Sequence, residues 1–449
     1  MSDYTKRALA LLVAGALGLS ACANQAPGTS QTPGGSEGTS DTVKVGFISA
    51  FTGVFSSFGK MQREGAELAL DEAGFKAGGK QIEVIYEDDQ LDNEIAVTKA
   101  KKLVEQDQVD VLTGLVSGDE GLAVGDYMKD KEIPVVVMYS AAEDMTMRSF
   151  SENIVRPTWT GAQSMDVFGY WLAKEKGYKK IYQIGEDYSF PWNTGGGFKR
   201  GFCRGGGTEV KSVWFPPGTT SDFSSLIASI PLDQGYDALF YNGAGGDAVN
   251  FIKQYVELGM IGKMPLVGQP NTFEKPDLDS MPADIAGSLS PQHTADDLST
   301  PEWNTFADAF RDKYGYAPSA AAEFAYSSMK LILRSIDQTK GNVEDSKALI
   351  AAMTSTDITD DPRGPVKLDP KWHSATQNVY IREVARDDSG ALYNKGLWTV
   401  TEVSQFGVYD PDVYMAAPSD SNASPSDQCA DLGPLLTAST EYQYQPFGG

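Results

Sequence analysis

The chain has 449 residues, enough for two or three domains around a large core. Its 37 basic and 61 acidic residues leave a net charge of −24, so nothing supplies a basic footprint for nucleic acid. Only two histidines are present, His293 and His373, which argues against a multi-histidine metal site; no metal and no cofactor is expected.

Lys6 and Arg7 precede the apolar stretch Ala8–Leu19. That stretch is too short to span a bilayer core of ~30 Å, and a short apolar run behind positive charge reads as a secretory signal peptide over residues 1–21. It ends in Leu19-Ser20-Ala21-Cys22, a leucine, two small residues and a cysteine. Residues 22–42 are dominated by Gly, Ser, Thr, Pro, Gln and Asn and read as a flexible tether.

Beyond the tether, strand and helix alternate. Val43–Ser49 is an apolar, β-rich run, followed by a helix from about Gly59 with Ala66, Ala69, Leu70 and Ala73 on one face. A strand at Ile82–Tyr86, a helix through Val97, Ala100 and Val104, a strand at Val109–Thr113, a helix near 119–130 and a strand at Pro134–Met138 continue the rhythm. After Thr158 it resumes: a helix through Met165, Phe168 and Leu172, strands at Lys180–Gly185 and 208–214, and a helix between them near 193–205. A strand at Asp237–Tyr241, a helix from Asp247 to Leu258 and a strand near Leu266 follow. Helices are predicted near 302–314, 319–338 and 343–353, and strands at Gln377–Arg386 and Leu397–Val403. Strands apolar on both faces belong to parallel sheets covered by helices, so the fold class is α/β with two doubly wound lobes. Residues 404–449 are rich in Pro, Ser, Asp and Gly and read as an irregular tail.

Catalytic motifs fail on context. Gly34-Gly35-Ser36-Glu37-Gly38 matches a nucleophile elbow but lies in the tether, without strand or helix. Gly74–Lys80 matches a phosphate loop, yet Gln81 stands where the magnesium-binding hydroxyl belongs and the segment precedes a strand. The acid cluster Glu87-Asp88-Asp89 with Asp92 lacks the glycine and terminal glutamate of a calcium loop and reads as a solvated turn. With no nucleophile, base and oxyanion set, no enzyme is expected.

The segments VKVGFISAFTGVFSSFGKMQREGAELALDEAG, YEDDQLDNEIAVTKAKKLV, VDVLTGLVSG, IPVVVMYSAAEDMT, EDYSFPWNTGGGFKRGF and RGPVKLD with QNVYIREV occur in this order. In order and spacing they resemble the branched-chain amino-acid-type substrate-binding proteins of ABC transporters, over roughly residues 43–400. The resemblance implies a type I periplasmic binding fold, with ligand trapped between lobes by hinge closure. Three crossings would lie near Arg156-Pro157-Thr158, Gly287–Pro291 and Gly364–Lys367. Lobe 1 would hold residues 43–157 and 288–364, and lobe 2 residues 158–287 and 365–403. The cysteine motif resembles the lipobox of bacterial lipoproteins, which implies cleavage before Cys22 and a diacylglyceride on its thiol. With Cys22 acylated, Cys203 and Cys429 remain, either as a disulfide or as two free thiols. The implied protein is an exported monomer, held by its lipid on the outer face of the cytoplasmic membrane or in the periplasm. It would hand a small molecule to a permease and ATPase complex, or, as a sensory lipoprotein, report that molecule to a receptor.

In open α/β sheets ligands bind beyond the carboxyl ends of strands. The loops there are Phe51–Gly59, Leu115–Asp119, Tyr139–Glu143, Glu186–Trp192, Asn242–Asp247 and Gln269–Phe273, and they carry eight aromatic residues. Of these, Phe51 and Trp192 are expected to pack beneath the loops. Carried over residue by residue, the family's first-lobe aromatic falls on Phe58, and the serine for the ligand carboxylate on Gly118 beside Ser117. The threonine falls on Ala141 beside Ser140, the second-lobe aromatic on Phe190, the second-lobe tyrosine on Ala244, and the ammonium-pairing acid on Pro270. Tyr139 joins Phe58 and Phe190 as a wall. A buried ammonium without a carboxylate partner is costly. The expectation is therefore a small carboxylate or amide with an apolar or aromatic body, its acid end held by Ser117, Ser140 and the N–H groups of Gly118 and Ala141. Asp187 and Asp247 are the acids that would rebuild an ammonium site.

Overall fold

Val43, Val45, Phe47 and Ile48 lose all contact with solvent, because the strand that holds them runs through the middle of a parallel sheet covered on both faces. The computed structural model describes residues 41–420, 426–436 and 440–448. The expected signal segment, the expected tether up to residue 40 and Cys22 lie outside the described residues.

The first sheet contains β1 (Thr42–Ser49), β2 (Lys76–Ala77), β3 (Lys80–Asp88), β4 (Val111–Gly114), β5 (Val135–Val137) and β6 (Ile154–Val155). Its order is β2-β3-β1-β4-β5-β6, parallel throughout except for the β2/β3 hairpin. Helices α1 (Ser56–Glu72), α2 (Asn93–Glu105) and α3 (Gly118–Met128) connect these strands. The acid cluster is used locally. Glu87 meets Lys99 at 2.6 Å and Lys102 at 2.7 Å, Asp88 accepts from Phe51 N at 3.0 Å, and Asp92 caps α2.

The chain then crosses at residues 156–160 into α4 (Gly161–Lys174). The second sheet follows with β7 (Lys180–Glu186), β8 (Glu209–Phe215), β9 (Ala238–Asn242), β10 (Leu266–Gly268) and β11 (Leu289–Gln292). Helices α5 (Ser189–Arg204), α6 (Ser224–Ala228) and α7 (Gly245–Glu257) lie between its strands. The glycine-rich run in α5 lets α4 approach closely: a Cβ at Gly201 would collide with the Asp166 carbonyl of α4, and one at Gly197 would meet Ala162. After β11 the chain returns to the first sheet and forms α8 (Pro301–Tyr314), α9 (Ala320–Gln338) and α10 (Ser346–Thr354), of which α9 packs along α1 and α10 against β6. It crosses once more to β12 (Lys367–Leu368), β13 (Ala375–Arg386) and β14 (Leu392–Val403); β13 pairs antiparallel with β11, and β12 and β14 pair antiparallel with β13. The fold is α/β with two doubly wound lobes, as expected.

Two expectations are corrected. Leu289–Gln292 is a strand of the second sheet, paired with β13 over four residues, so the return crossing falls after Gln292 and not at Gly287–Pro291. Proline is an unusual residue for the interior of a sheet, and Pro291 lies within this strand. It is tolerated because β10 pairs with β11 only at Val267↔Leu289, so Pro291 lies past the end of β10. The tail is also not irregular throughout its described residues. It forms α11 (Pro411–Ala416), a 3₁₀ segment (Cys429–Leu436) and β15 (Gln445–Pro446), which pairs with β14. Cys203 of α5 and Cys429 are joined by a disulfide, with Cα atoms 5.2 Å apart.

The tail's order comes from buried partners in both lobes. Tyr409 and Tyr442 donate to the two oxygens of Asp166 on α4 at 2.8 and 2.7 Å. Tyr414 donates to Glu143 of the first lobe at 2.7 Å, Thr146 to Gln405 at 2.7 Å, and Ser419 to Asp144 at 2.5 Å. Arg200 of α5 pairs with Asp420. These contacts carry no periodic signature, so composition alone mistakes the segment for a loop.

Candidate ligand-binding cleft

The carboxyl ends of β1, β4, β5, β7, β9 and β10 point into one space between the lobes, because each strand delivers its chain there before a helix turns it back. The cavity between them is small, with a volume of about 20 Å³. From the first lobe, Phe55, Phe58, Val116, Ser117 and Tyr139 line it. Tyr188, Phe190, Ala244 and Asn271 close it from the second, and Trp159 from the first crossing.

Rings form a continuous wall across the lobes. Tyr139 lies 5.6 Å from Phe58 and 5.4 Å from Trp159, centroid to centroid; Trp159 lies 5.4 Å from Phe190, and Phe55 lies 6.2 Å from Tyr188. Such spacings give stacking on top of apolar burial. The Trp159 indole donates to the Tyr139 backbone carbonyl at 2.8 Å, which fixes the indole. Burial pushes the Tyr139 and Tyr188 phenols well above their ordinary range, helped by the charges of Glu274 and Glu186 respectively, so both stay protonated donors.

No charged side chain lines the cavity among the described residues. Positive potential comes instead from helix ends. Phe55, Ser117, Tyr188 and Ala244 are the N-caps of α1, α3, α5 and α7, and Trp159 immediately precedes the N-cap of α4. No side chain of the N-cap residue itself closes the helix end at Phe55, Tyr188 or Ala244, although Asp119 accepts from Ser189 N at 3.4 Å and Glu186 from Ala244 N at 3.2 Å. Each helix N-terminus carries roughly half a positive charge and unpaired N–H donors, so their convergence favours an anion.

Phe58, Ser117, Tyr139, Phe190 and Ala244, all expected in the site, line the cavity. Ser117 has a second duty: its hydroxyl accepts from Asp119 N at 3.1 Å, while Glu120 accepts from Ser117 N at 2.9 Å, a capping box at the start of α3. Gly118, Ser140 and Ala141 do not line the cavity. Gly118 sits where the lobes touch; a Cβ there would come 2.7 Å from Ser189 Oγ of the second lobe. The Ser140 hydroxyl was expected to share the ligand acid. It is completely buried and turned away, donating to Met145 Sδ at 3.4 Å. Ala141 is buried, its carbonyl accepting from Gly161 N at 2.9 Å.

Neither candidate acid reaches the cavity. Asp187 accepts from the Trp192 indole at 3.1 Å, and Asp247 from Gly218 N at 2.6 Å. The Pro270 carbonyl is taken by Arg382 at 3.1 Å. The residue-by-residue expectation left out Phe55, Val116, Trp159, Tyr188 and Asn271. All but Trp159 lie in loops that strand order had already marked; Trp159 sits in a crossing, which the strand-end rule does not cover. No cluster of His, Cys, Asp and Glu able to hold a metal occurs among the described residues, and no described helix is long and apolar enough to cross a membrane.

With this geometry in hand, known proteins place the chain. The family profile described as periplasmic binding protein matches residues 42–391. The Leu/Ile/Val-binding protein homolog 6 of Brucella melitensis biotype 1 is 31% identical over 364 residues, covering 80% of this chain and 92% of that protein. The solute-binding protein of an ABC transporter from Rhodopseudomonas palustris BisB5, solved in complex with 3,4-dihydroxybenzoic acid, is 30% identical with a TM-score of 0.76. That match covers 81% of this chain and 98% of that one. A second R. palustris solute-binding protein, solved with benzoate, is 26% identical with a TM-score of 0.74, covering 81% and 97%. The chain belongs to the periplasmic binding protein family, among the relatives of the Leu/Ile/Val-binding proteins.

Proposed function

We propose that the protein is an extracytoplasmic lipoprotein that captures a small aromatic carboxylate between its lobes and delivers it to the permease and ATPase of an ABC importer. The observation that carries the ligand class is the cavity wall itself. Six aromatic rings surround a space onto which helix N-termini converge, with no carboxylate among the lining residues to meet an ammonium. The benzoates bound by the two R. palustris proteins support this reading. An α-amino acid would leave its ammonium buried and unpaired, a cost of several kcal/mol.

In this reading lobe 1 holds residues 43–157 and the returning segment from 293 to 364. Lobe 2 holds 158–292 and 365–403, with the tail attached. Ser117 and the converging helix N-termini hold the carboxylate, while Phe58, Tyr139 and Phe190 cover the ring. Cys22 carries the lipid. Calorimetry with benzoate, hydroxybenzoates, benzamide, phenylalanine and leucine tests the ligand class. Benzoates are expected to bind and leucine not; leucine binding tighter than every benzoate would refute the proposal. Cys22→Ser is expected to release the protein from membranes, and retention through a carbonate wash would count against the anchor.

A further inference from the structure

One polar junction interrupts the aromatic wall, and its hydrogen bonds fix which way each group faces. The backbone N–H of His293 donates to Gln292 Oε1 at 2.9 Å. That settles the Gln292 amide, whose nitrogen then reaches Asn271 Oδ1 at 3.3 Å. The atom of Asn271 that receives this donor must be oxygen, so the Asn271 amide is settled in turn. Tyr139 meets the same oxygen at 2.9 Å and, facing an acceptor, must donate. The Asn271 backbone N–H is held by Gln269 Oε1 at 2.7 Å.

Two consequences follow from the donor and acceptor inventory. Asn271 Oδ1 has both lone pairs occupied, and Nδ2 meets no acceptor among the described residues although the residue is only 4% exposed and lines the cavity. Tyr139 has committed its proton and keeps a free lone pair. The cavity therefore presents a donor directly beside an acceptor. A hydroxyl complements that pair, since it accepts from Asn271 Nδ2 and donates to Tyr139 Oη. A carboxylate placed there would gain the amide but face the phenol's lone pair. An unsubstituted ring would leave the amide donors unpaired in a desolvated site.

Resting on the reading of the cleft as an aromatic-acid site, we propose that Asn271 and Tyr139 select a ligand carrying a ring hydroxyl. Tyr139 follows β5 in the first lobe and Asn271 follows β10 in the second, so the hydroxyl is bound only when the lobes are together. It completes a three-membered cycle of hydrogen bonds across the cleft, and so makes closure sensitive to the ligand's oxygen pattern.

The test is calorimetry on the full chain with benzoate, 3-hydroxybenzoate, 4-hydroxybenzoate, and the 3-methoxy and 4-methoxy counterparts. A methoxy oxygen accepts but cannot donate. At least one hydroxybenzoate is expected to bind about tenfold or more tighter than both benzoate and its own methyl ether, as a site built around hydrogen bonds rejects analogues that lack them. Asn271→Asp keeps the oxygen that Tyr139 and Gln292 need and removes the donors. It is expected to reduce the ratio of hydroxybenzoate to benzoate affinity to about threefold or less. Benzoate binding without preference for any hydroxybenzoate would overturn this inference and leave the aromatic-acid reading standing, as would a preference that survives in Asn271→Asp. Failure of every benzoate to bind would remove the aromatic-acid reading itself. Should Asn271→Asp not fold, the ligand series on the unaltered chain decides alone.

Discussion

Arg363 Nη1 lies 2.9 Å from both carboxylate oxygens of Glu323, and its Nη2 donates to the Pro157 carbonyl at 2.6 Å. Glu323 is on α9 of the first lobe, Pro157 is in the first crossing, and Arg363 leads into the third. Its Nε reaches Gln377 of β13 in the second sheet at 2.9 Å. A single guanidinium thus joins two crossings and both lobes without exposure to solvent. Arg382 acts alike beside the second crossing, meeting Glu274 at 2.7 Å and the Thr294 carbonyl at 3.3 Å. Such pairs gain little over packed hydrocarbon, but their fork geometry sets direction.

Arg363→Met is therefore expected to destabilise the protein by about 3–5 kcal/mol, because Glu323 is left buried without its cation. Denaturant unfolding at equilibrium measures this.

The loop before α1 lies against the start of α7. Gly245 has φ +59°, and a Cβ there would lie 2.8 Å from the Val54 carbonyl and 2.9 Å from the Phe55 ring. Gly245→Val is expected to hold the lobes apart. Scattering should show the unaltered chain contracting with a confirmed ligand and the variant failing to contract.

The two serines separate by role. Ser117→Ala is expected to lose about 1 kcal/mol of stability with its cap and to weaken ligand binding as well. Ser140→Ala should leave affinity unchanged, since that hydroxyl faces Met145. Calorimetry and thermal melting on the two variants check both statements.

Burial raises the Glu120 carboxyl to about 8, reinforced by the charge of Asp89, and burial raises Asp89 to about 6. Folded values above unfolded ones mean that the folded state holds these protons more tightly. The stability they contribute is complete below about pH 4 and is lost as pH rises through 6 to 8. His293, lowered to about 3 by burial, acts in the opposite sense, and only below about pH 6.5. Melting temperature is therefore expected to fall from pH 6.5 to 8.5, and Glu120→Gln to flatten that decline.

The Cys203–Cys429 bridge closes a sequence separation of 226 residues. Cys203→Ser is expected to cost about 2–4 kcal/mol and to expose the tail to proteases. Melting with and without a reductant, alongside limited proteolysis, measures both effects.

Most of the framework was legible because the apolar period of each element is local. The parallel strands Val43–Ser49 and Lys180–Gly185 announce themselves by burial on both faces, and α1 by its single apolar face. What could not be read depends on partners far along the chain. β11 holds its place through β13, and the tail through Asp166 and Glu143. Within the site, loop position marked Phe58, Tyr139 and Phe190, because the strand ends aim these loops at the cleft. The direction of the Ser140 hydroxyl was invisible, because it follows from where Met145 happens to pack. Asn271 sits next to Pro270, the position that aligns with the family's ammonium-pairing acid, and its role depends on Gln292 fixing its amide.

The tail grips residues 143–148 of the first lobe and α4 and α5 of the second, close to the first crossing, where Arg156 donates to the Ala142 carbonyl at 2.6 Å. The lobes thus share a fourth tether beside their three covalent ones. Twisting and sliding motions would have to break its buried bonds to Glu143, Asp144 and Thr146, whereas rotation about an axis through it would not. Opening is thereby reduced toward a single degree of freedom. A ligand then loses less entropy in ordering the lobes, since much of that order was set when the tail docked.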